Sequence, residues 1–203
     1  MRKHFLDLFS GLGGASEAFA QDLGNWTVLR IDNNPLLSAV PNTVIRDIMQ
    51  ITPLSPKSLM FPKPPQIDCI WASPPCTEFS NAFNSPRSEA ARAGEDYEPD
   101  MSLLEKTMEI IETVKPKYWV IENVVGSIRY FAEYLGEPRQ IIGPYVLWGN
   151  FPWLADVKVE TKKSKDVHSG NPLRSNLKAK VDFNLSQALK DAIDGQRSIS
   201  DFM

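Results

Sequence analysis

The chain has 203 residues, of which 42% are hydrophobic and 23% are charged, a composition typical of one soluble globular domain with a buried core. No apolar run approaches the roughly 20 residues of a membrane-spanning helix, and no signal peptide is recognisable, so a cytoplasmic protein is predicted. The net charge of −3 does not by itself favour a nucleic-acid-binding protein. Segment 158–180 nevertheless carries seven basic and two acidic residues, and it either contacts phosphates or forms a solvated loop.

Predicted strands and helices alternate along the chain. Strands are predicted at 3–9, 26–32, 42–48, 66–73, 117–123, 145–151 and 155–161, and helices at 15–23, 102–116 and 184–193. Residues 84–100 are polar without a period and predict a mobile loop, and Pro53–Pro65 predicts an extended connector. The alternation predicts an α/β fold with a mostly parallel sheet and helices on both faces.

The predicted helix 102–116 is the clearest amphipathic element. Ser102 and Glu105 have the spacing of a capping box at its start. Its inner stripe repeats at helical spacing and consists of Leu103, Leu104, Thr107, Ile110, Ile111 and Val114.

Three features at strand ends together describe a site for adenosine. The segment Ser10–Gly14 (SGLGG) lets the backbone turn tightly and approach a ligand, although G-x-G-G is not the G-x-G-x-x-G of dinucleotide enzymes. Asp32 ends the second strand, where an acidic side chain can bind a ribose diol. Asp47 ends the third strand, where it can accept from an adenine amino group. Taken singly, the glycines also fit a plain turn, and the aspartates fit turn or cap residues.

The two cysteines have different surroundings in the sequence. Their spacing is neither of the zinc type nor of the redox type, so free thiols and no metal site are predicted. Cys69 lies inside a buried strand and is interpreted as an inert core residue. Cys76 follows Pro74-Pro75, which fix the backbone direction, and polar residues follow it. The Cys76 thiol is therefore expected to project into the cleft at the end of the strand.

Glu122 ends the apolar strand 117–123 and is expected to be half-buried. Burial raises the pKa of a carboxyl group, so a protonated Glu122 can donate a proton or hydrogen bond near neutral pH. A helix connects its strand with the strand before Cys76, which makes a β-α-β unit. If the two strands are neighbours, the thiol and the carboxyl meet at one sheet edge and can flank a flat ring.

These residues resemble the cytosine-5 DNA methyltransferases. The matching pieces are DLFSGLGG, Asp32 in RIDNNP, RDI at Arg46–Ile48, SPPCTEFS and IENV at Ile121–Val124, in the family's order. The combination of Pro-Cys with Glu-Asn-Val is specific, and the pattern is closest to short versions encoded by phages. The resemblance implies a Rossmann-like fold and one catalytic domain over 1–203, with its motifs in 1–125.

The resemblance implies S-adenosylmethionine as the cofactor and cytosine-containing DNA as the partner. Cys76 would add to C6 of a flipped-out cytosine, and Glu122 would stabilise the protonated N3. The implied cofactor-binding residues are Phe9, Ser10, Gly11, Gly13, Gly14, Asp32, Asp47, Ile48 and Leu103. The implied substrate-binding residues are Pro75, Ser80, Asn123 and Arg139, and residues 81–100 would close over the nucleic acid.

The sequence also departs from the family's pattern. The Gln-x-Arg-x-Arg motif, whose arginine supports the base, has no clean match, and Arg139 is a weak substitute. Asn33 stands where an aromatic often stacks on adenine. The stretch after Glu122 is too short for the usual target-recognition domain. The terminal Gly-Asn motif is absent, so helix 184–193 is expected to close the cofactor site instead.

Three alternatives remain open. SPPC also resembles the Pro-Pro-aromatic motif of enzymes that methylate exocyclic amino groups, but Cys76 cannot stack on a base as an aromatic does. The same cytosine chemistry could act on RNA, single strands or free nucleotides, and a steep salt dependence would indicate phosphate contacts. The chain could also be a non-catalytic cofactor-binding subunit, or an active subunit with a separate recognition subunit. The presence of both Cys76 and Glu122 argues against a purely binding role.

Overall fold

The computed structural model of the protein describes residues 2–52, 66–79, 85–160 and 170–196. Its strands are β1 (Lys3–Leu8), β2 (Trp26–Asp32), β3 (Thr43–Ile45), β4 (Cys69–Ala72), β5 (Tyr118–Asn123), β6 (Gln140–Ile142) and β7 (Tyr145–Asn150). They form one sheet in the order β3-β2-β1-β4-β5-β7-β6. Neighbours from β3 to β5 are parallel, and β7 is antiparallel to β5 and β6. The predicted mostly parallel sheet is confirmed.

Helices cover both faces of this sheet. They are α1 (Glu17–Gln21), α2 (Pro86–Ala93), α3 (Ser102–Val114), α4 (Ile128–Leu135), α5 (Arg174–Ala179) and α6 (Phe183–Asp194). The helices α3 and α4 pack on one face through Leu104, Ile110, Ile111 and Phe131. The helices α1 and α6 pack on the other through Phe19, Leu185, Leu189 and Ile193. No helix in the described part of the chain is long and apolar enough to cross a bilayer.

The central strands are buried on both sides, which explains their continuous apolar runs. All residues of β4 are buried, and β1 is buried from Phe5 to Leu8. Successive side chains of β4 enter opposite cores: Ile70 packs on the side of α3, and Trp71 on the side of α6. The strands β1 to β5 run parallel to one another, so their carboxyl ends lie along the same side of the sheet. This side is called here the carboxyl edge, and ligands bind there in sheets of this kind.

One predicted strand is wrong and another was missed. Residues 155–160 of the predicted strand 155–161 join no ladder; Val157 and Val159 instead pack against the core on the α6 side. Their alternation with polar residues reflects alternate burial without strand pairing. The missed strand is β6, which is too short to show a period and pairs with β7.

The predicted loop 84–100 contains the helix α2 within its described part. Ser85 caps this helix, Pro86 occupies its first turn, and Gly94 ends it at φ 71°. None of its residues is buried, so it has no apolar stripe for a sequence pattern to reveal. The predicted connector Pro53–Pro65 lies outside the described residues.

The helix starts also differ from the prediction. The capping box at Ser102 is wrong: the N-cap of α3 is Met101, and Asp100 Oδ1 accepts from the Ser102 N–H at 2.9 Å. The first helix is shorter than predicted, since residues 15–23 contain only the five residues of α1. Both differences concern the ends of helices, where local hydrogen bonds decide the boundary more than the spacing of apolar residues does.

The C-terminal helix α6 confirms the predicted helix 184–193 and packs against α1. Ser186 Oγ donates to the Ala15 carbonyl at 2.6 Å and accepts from the Ala18 N–H at 3.1 Å. Lys180 forms an ion pair with Glu17 at 2.7 Å. The C-terminal segment therefore fixes the start of α1, directly behind the turn that follows β1.

Candidate active site

The residues predicted to be functional meet at the carboxyl edge. Phe9 follows β1, Asp32 ends β2, Pro74-Pro75 follows β4, and Glu122 lies at the end of β5. The strand β1 lies between β2 and β4, and β5 lies beside β4. The turn after β1 is therefore flanked by Asp32 on one side and by the loop of Cys76 on the other.

The turn after β1, Ser10–Gly14, is called here the glycine segment. Phe9, Gly11 and Gly13 have φ values of 56°, 51° and 74°, a left-handed conformation that glycine adopts without strain. The Gly13 N–H donates to the Ser10 carbonyl at 2.7 Å, and the Ser10 N–H donates to the Ile31 carbonyl at 3.1 Å. These bonds close the turn and tie it to β2.

Asp32 and Ser10 have the unfilled hydrogen-bonding capacity that a nucleoside ligand requires. Asp32 Oδ2 accepts from the Gly11 N–H at 2.8 Å, and Oδ1 accepts from the Asn34 N–H at 2.9 Å. Each carboxylate oxygen can accept a further bond, for example from a ribose hydroxyl. Ser10 Oγ is buried without a hydrogen-bond partner among the described residues, although buried polar atoms normally have one. The site therefore fits a polar ligand such as S-adenosylmethionine.

A buried polar network supports the glycine segment from beneath. Ser16 Oγ donates to Asp7 at 2.5 Å and accepts from Arg30 Nε at 2.9 Å. Arg30 also donates to the carbonyls of Gly13 at 3.3 Å and Pro41 at 2.8 Å. Burial raises the pKa of Asp7 to about 7, with Ser16 and Arg30 opposing the rise. No local sequence pattern predicts this network, because its members come from three separate elements.

Replacing Gly13 with alanine is expected to destabilise the protein and to abolish tight cofactor binding. A Cβ at Gly13 would lie 2.4 Å from Arg30 Nε, so the guanidinium would have to leave its buried partners. That loss costs about 3 kcal/mol, in addition to about 1 kcal/mol for a left-handed alanine. Denaturant unfolding and calorimetric titration with S-adenosylmethionine measure the two effects.

Gly94→Ala is the matched control for this substitution. Gly94 has φ 71°, close to the 74° of Gly13, but a Cβ there would meet no described atom within 4 Å. The stability of this variant should fall only by the cost of placing an alanine in the left-handed conformation, and the variant should bind the cofactor normally. Equal losses of stability in the two variants would contradict the supporting role of Arg30.

Asp47, Ile48 and Leu103 border another part of the predicted cofactor site. Asp47 Oδ1 accepts from the Met49 N–H at 2.9 Å and caps the short 3-10 turn Ile48–Gln50. The helix α3 contacts this turn, and Ile48 is buried in the core on that side of the sheet. Leu103, near the start of α3, lines a cavity of 170 Å³ beside Pro74-Pro75.

The helix α5 contributes a residue that sequence reasoning missed. Asn176 Oδ1 accepts from Asn34 Nδ2 at 3.3 Å, and a side chain at Gly11 would come within 3.7 Å of Asn176 Nδ2. Asn176 therefore lies over the glycine segment, beside Asp32. The expected closing helix 184–193 lies instead behind the segment, against α1.

The ledge Pro74–Cys76 is held in place from β5. Asn123 is 1% exposed; its Nδ2 donates to the Pro74 carbonyl at 3.0 Å, and its Oδ1 accepts from the Val124 N–H at 2.9 Å. Asn123 thus uses its side chain to position the ledge, and the structure gives it no open contact for a substrate. Pro75 is exposed and lines the 170 Å³ cavity, whereas Cys76 is a half-buried free thiol.

Cys76 and Glu122 lie near each other, as the sequence predicts for neighbouring strands. The strands β4 and β5 pair in parallel with Ala72 opposite Ile121. Burial raises the pKa of the Glu122 carboxyl to about 7, and a hydrogen bond from Ser73 opposes this rise. Burial also raises the pKa of the Cys76 thiol, and the charge of Glu122 adds to that rise. Glu122 and Cys76 are both only partly buried, and the charge of Glu122 acts on the thiol.

The loop after Cys76 is fastened to the neighbouring turn by Arg87. Arg87 Nη1 donates to the carbonyl of Phe79 at 3.4 Å and to that of Gly126 at 3.3 Å. Phe79 is buried against Phe131, with ring centroids 5.0 Å apart. The helix α2, which carries Arg87, is therefore attached to the turn that follows Cys76 and to the turn that follows β5.

The structure does not bring Arg139 together with Cys76 and Glu122. Arg139 precedes β6, which is separated from β5 by β7, and its guanidinium stacks on Phe151 at 5.3 Å. Ser80 lies outside the described residues.

A hollow of 350 Å³ lies at the opposite edge of the sheet. It is lined by Lys3, Asp22, Asn25, Lys190 and Asp194. The lysines form ion pairs with the aspartates at 2.7–2.9 Å, and the lining contains no cysteine, serine or histidine. These pairs attach α6 to β1 and make the hollow a structural feature.

The fold is a Rossmann-like α/β fold with a mostly parallel sheet. The Entamoeba histolytica methyltransferase EhMeth matches 79% of this chain with a TM-score of 0.50 and 16% sequence identity, over 56% of its own length. At that identity the similarity concerns the fold alone.

Residues 3–129 match the family model of C-5 cytosine-specific DNA methylases, and the chain belongs to this family, whose methyl donor is S-adenosylmethionine. It is 31% identical over 153 residues to a probable DNA (cytosine-5)-methyltransferase of Frog virus 3, covering 71% of this chain and 64% of the relative. It is also 31% identical over 137 residues to the type II methyltransferase M.AquIA of Picosynechococcus sp., covering 64% and 52%. The chain thus matches about half to two thirds of the length of these relatives.

Proposed function

We propose that this chain transfers the methyl group of S-adenosylmethionine to C5 of cytosine in DNA, through a covalent bond between Cys76 and C6. The parallel pairing of β4 with β5 carries the proposal, because it brings a thiol and a carboxyl to one edge beside the glycine segment. Membership of the cytosine-specific family supports the same chemistry. A protein that only bound the cofactor would have no use for this pair.

Cytosine C5 is too weak a nucleophile to attack a methyl group unaided. Addition of the Cys76 thiolate to C6, with a proton from Glu122 to N3, makes C5 an enamine carbon. C5 then bonds to the methyl carbon as the carbon–sulfur bond of the sulfonium breaks, which leaves a neutral thioether. A base removes the C5 proton, the thiolate leaves C6, and the N3 proton returns to Glu122.

Glu122 is also suited to generate the thiolate. The Cys76 thiol has a pKa above its ordinary value of 9.0, and the Glu122 carboxyl has a pKa of about 7. Moving the thiol proton to Glu122 is therefore uphill, because the thiol is the weaker acid of the two. One proton transfer yields both the nucleophile and the acid that the addition needs.

The cofactor-binding roles follow from the same geometry. Asp32 would accept from the ribose hydroxyls, and Ser10 Oγ would gain the partner that it lacks among the described residues. Asp47 and Ile48 would meet the adenine, with Leu103 as an apolar wall. The backbone of Gly11 and Gly13 leaves room for close approach of the ligand.

We assign recognition of a DNA sequence to a separate subunit. Among the described residues, the carboxyl edge consists of strand ends, short turns, α2, α5 and the starts of α1 and α3. None of these forms a second layer that could span a DNA groove. Bisulfite sequencing after reaction with the purified chain alone tests this point, since methylation confined to one sequence motif would contradict it.

The substrate class is tested by label transfer from S-adenosylmethionine to duplex DNA, single-stranded DNA, RNA and dCTP. We expect transfer to DNA, with a rate at low substrate that falls steeply as salt rises, because phosphate contacts release counterions. Equal rates on dCTP, without a salt dependence, would overturn DNA as the substrate. Transfer to the N4 amino group of cytosine would overturn the C5 chemistry.

A further inference from the structure

Ser73 lies between a buried indole and Glu122. Trp71 is 0% exposed, and its Nε1–H donates to Ser73 Oγ at 2.7 Å. The register that places Ala72 opposite Ile121 places Ser73 beside Glu122 one residue further on. Trp71 and Ser73 are two residues apart on β4 and its extension, so their side chains share one face.

The proton arrangement at Ser73 is set by the chemistry of its neighbours. The indole Nε1–H can only donate, so Ser73 Oγ acts as an acceptor toward Trp71. The Ser73 hydroxyl proton is then available for Glu122, and an ionised carboxylate can only accept. Such a donation opposes the effect of burial on the Glu122 pKa, because it stabilises the charged form.

We propose that Ser73, oriented by Trp71, is a positioning residue that binds one carboxyl oxygen of Glu122 and leaves the other to face the cytosine ring. This inference deepens the proposed function and rests on it for its catalytic consequence. A general acid must present its proton toward the reacting atom, and a buried carboxyl without a fixed partner can rotate. The hydrogen-bonded series from Trp71 through Ser73 to Glu122 supplies that orientation, and it starts from the fully buried strand β4.

Two other titratable groups face Glu122 and must be considered with it. Cys76 lies on the loop after β4, and its thiol pKa responds to the charge of Glu122. Tyr145, at the start of β7, is also influenced by Glu122, and its hydroxyl oxygen accepts from the Asp182 N–H at 3.1 Å. Both are neutral at pH 7, since their pKa values are raised. Neither changes its charge while Glu122 titrates near neutral pH, so a change in the Glu122 midpoint reports on its hydrogen bond with Ser73.

The direct test is the titration of the Glu122 carboxyl by carbon-13 NMR, with the signal assigned by its loss in Glu122→Gln. Removing the donor in Ser73→Ala should move the midpoint to higher pH than in the wild type. Ser73→Thr keeps the hydroxyl and should therefore have the midpoint of the wild type. This readout needs neither cofactor nor DNA, so it tests the hydrogen bond even if the protein methylates none of the offered substrates.

The catalytic test is single-turnover methyl transfer to DNA. Ser73→Ala should lower the maximal rate by about tenfold, a part of the 10²–10⁴-fold typical of general acid catalysis, with cofactor affinity unchanged. An active wild type with an equally active Ser73→Ala variant and an unmoved Glu122 midpoint would overturn the inference. An inactive wild type would instead count against the proposed function.

A pair of tryptophan variants separates orientation from packing. Trp71→Phe removes the indole donor, and should move the Glu122 midpoint and lower the rate. Trp148→Phe is the matched control, because Trp148 is also buried, at 1% exposed, and its Nε1 donates to the Gly136 carbonyl at 3.1 Å. It packs in the opposite core, with α3 and α4. Equal effects of the two substitutions on the Glu122 midpoint would contradict the role of Trp71.

Discussion

Replacing Cys76 with alanine is expected to lower single-turnover methyl transfer by at least on the order of 10⁴-fold, the scale seen when an enzyme loses its covalent nucleophile. Without a bond at C6, cytosine C5 cannot become an enamine carbon, and no other group in the proposed mechanism replaces the thiolate. The cofactor half of the site, built on the glycine segment and Asp32, should remain intact. Calorimetric affinity for S-adenosylmethionine should therefore be close to that of the wild type.

The covalent bond itself can be observed with DNA that contains 5-fluorocytosine. After methyl transfer the fluorine cannot leave as the proton does, so the wild type should remain attached to the DNA through Cys76. A denaturing gel would then show a slower band that depends on S-adenosylmethionine. Cys76→Ala should give no such band. An undiminished band or rate in this variant would remove the covalent mechanism.

Cys69→Ala is the control that the chain itself offers. Cys69 is the other cysteine of the sequence; it is 0% exposed within β4, and burial raises its thiol pKa well above the ordinary value. Its replacement removes the same atom type and should cost about 1 kcal/mol of stability through a small cavity. Methyl transfer and trapping should persist. Loss of both activities in Cys69→Ala would indicate that damage to β4 alone explains the Cys76 result.

The central strands and the parallel direction of β4 and β5 were predictable because they depend on local patterns. Long apolar runs identified β1, β4 and β5, and the helix between β4 and β5 implied that these strands are parallel. Once that pairing is given, Cys76 and Glu122 must emerge at one edge. The main chemical inference therefore required only the element order and two motifs.

Elements that bury little or are very short escaped prediction. The helix α2 buries none of its residues, so its evidence lies only in Ser85-Pro86 and Gly94, which a polar loop also tolerates. Residues 155–160 show the alternation of a strand, yet Val157 and Val159 pack on a core without a ladder partner. Periodicity reports which side chains are buried, and it does not report where the backbone hydrogen bonds go.

The supporting residues of the site could not be read from sequence, because they come from distant segments. Asn123 holds Pro74, Ser73 receives the indole of Trp71, and Asn176 reaches Asn34 across 142 positions. Ser73 and Asn123 stand within the matched motifs, but nothing in the sequence indicates these contacts, and Asn176 has no distinctive spacing. Arg139 shows the converse, since its position in the sequence suggested a contact with the base, whereas its guanidinium stacks on Phe151.

Replacing Glu122 with glutamine should lower methyl transfer by about 10²–10³-fold, within the range for loss of a general acid, and should change the form of the pH profile. In the wild type the reactive form carries one proton shared by Cys76 and Glu122. The methyl-transfer rate of the wild type should therefore rise up to about pH 7, the pKa of Glu122. It should then stay level until Cys76 ionises. In the variant only the thiol titrates, so the rate should keep rising with pH throughout that level region.

The same substitution should make stability depend differently on pH. The Glu122 pKa is 4.5 in its ordinary state and about 7 in the folded protein. A raised pKa contributes stability below the unfolded value, and this contribution is lost as pH rises through the folded value. The wild type should therefore lose at most about 3 kcal/mol relative to Glu122→Gln between pH 4.5 and 7, with no further change above.

Denaturant unfolding of both proteins from pH 4.5 to 8 isolates this effect. Asp7, whose pKa burial also raises to about 7, titrates identically in both and cancels in the difference. A difference in unfolding free energy that does not vary with pH would mean that Glu122 is ionised normally in the folded state. The carboxyl could then neither take the Cys76 proton nor hold one for N3, and the pairing on which the mechanism depends would lose its acid.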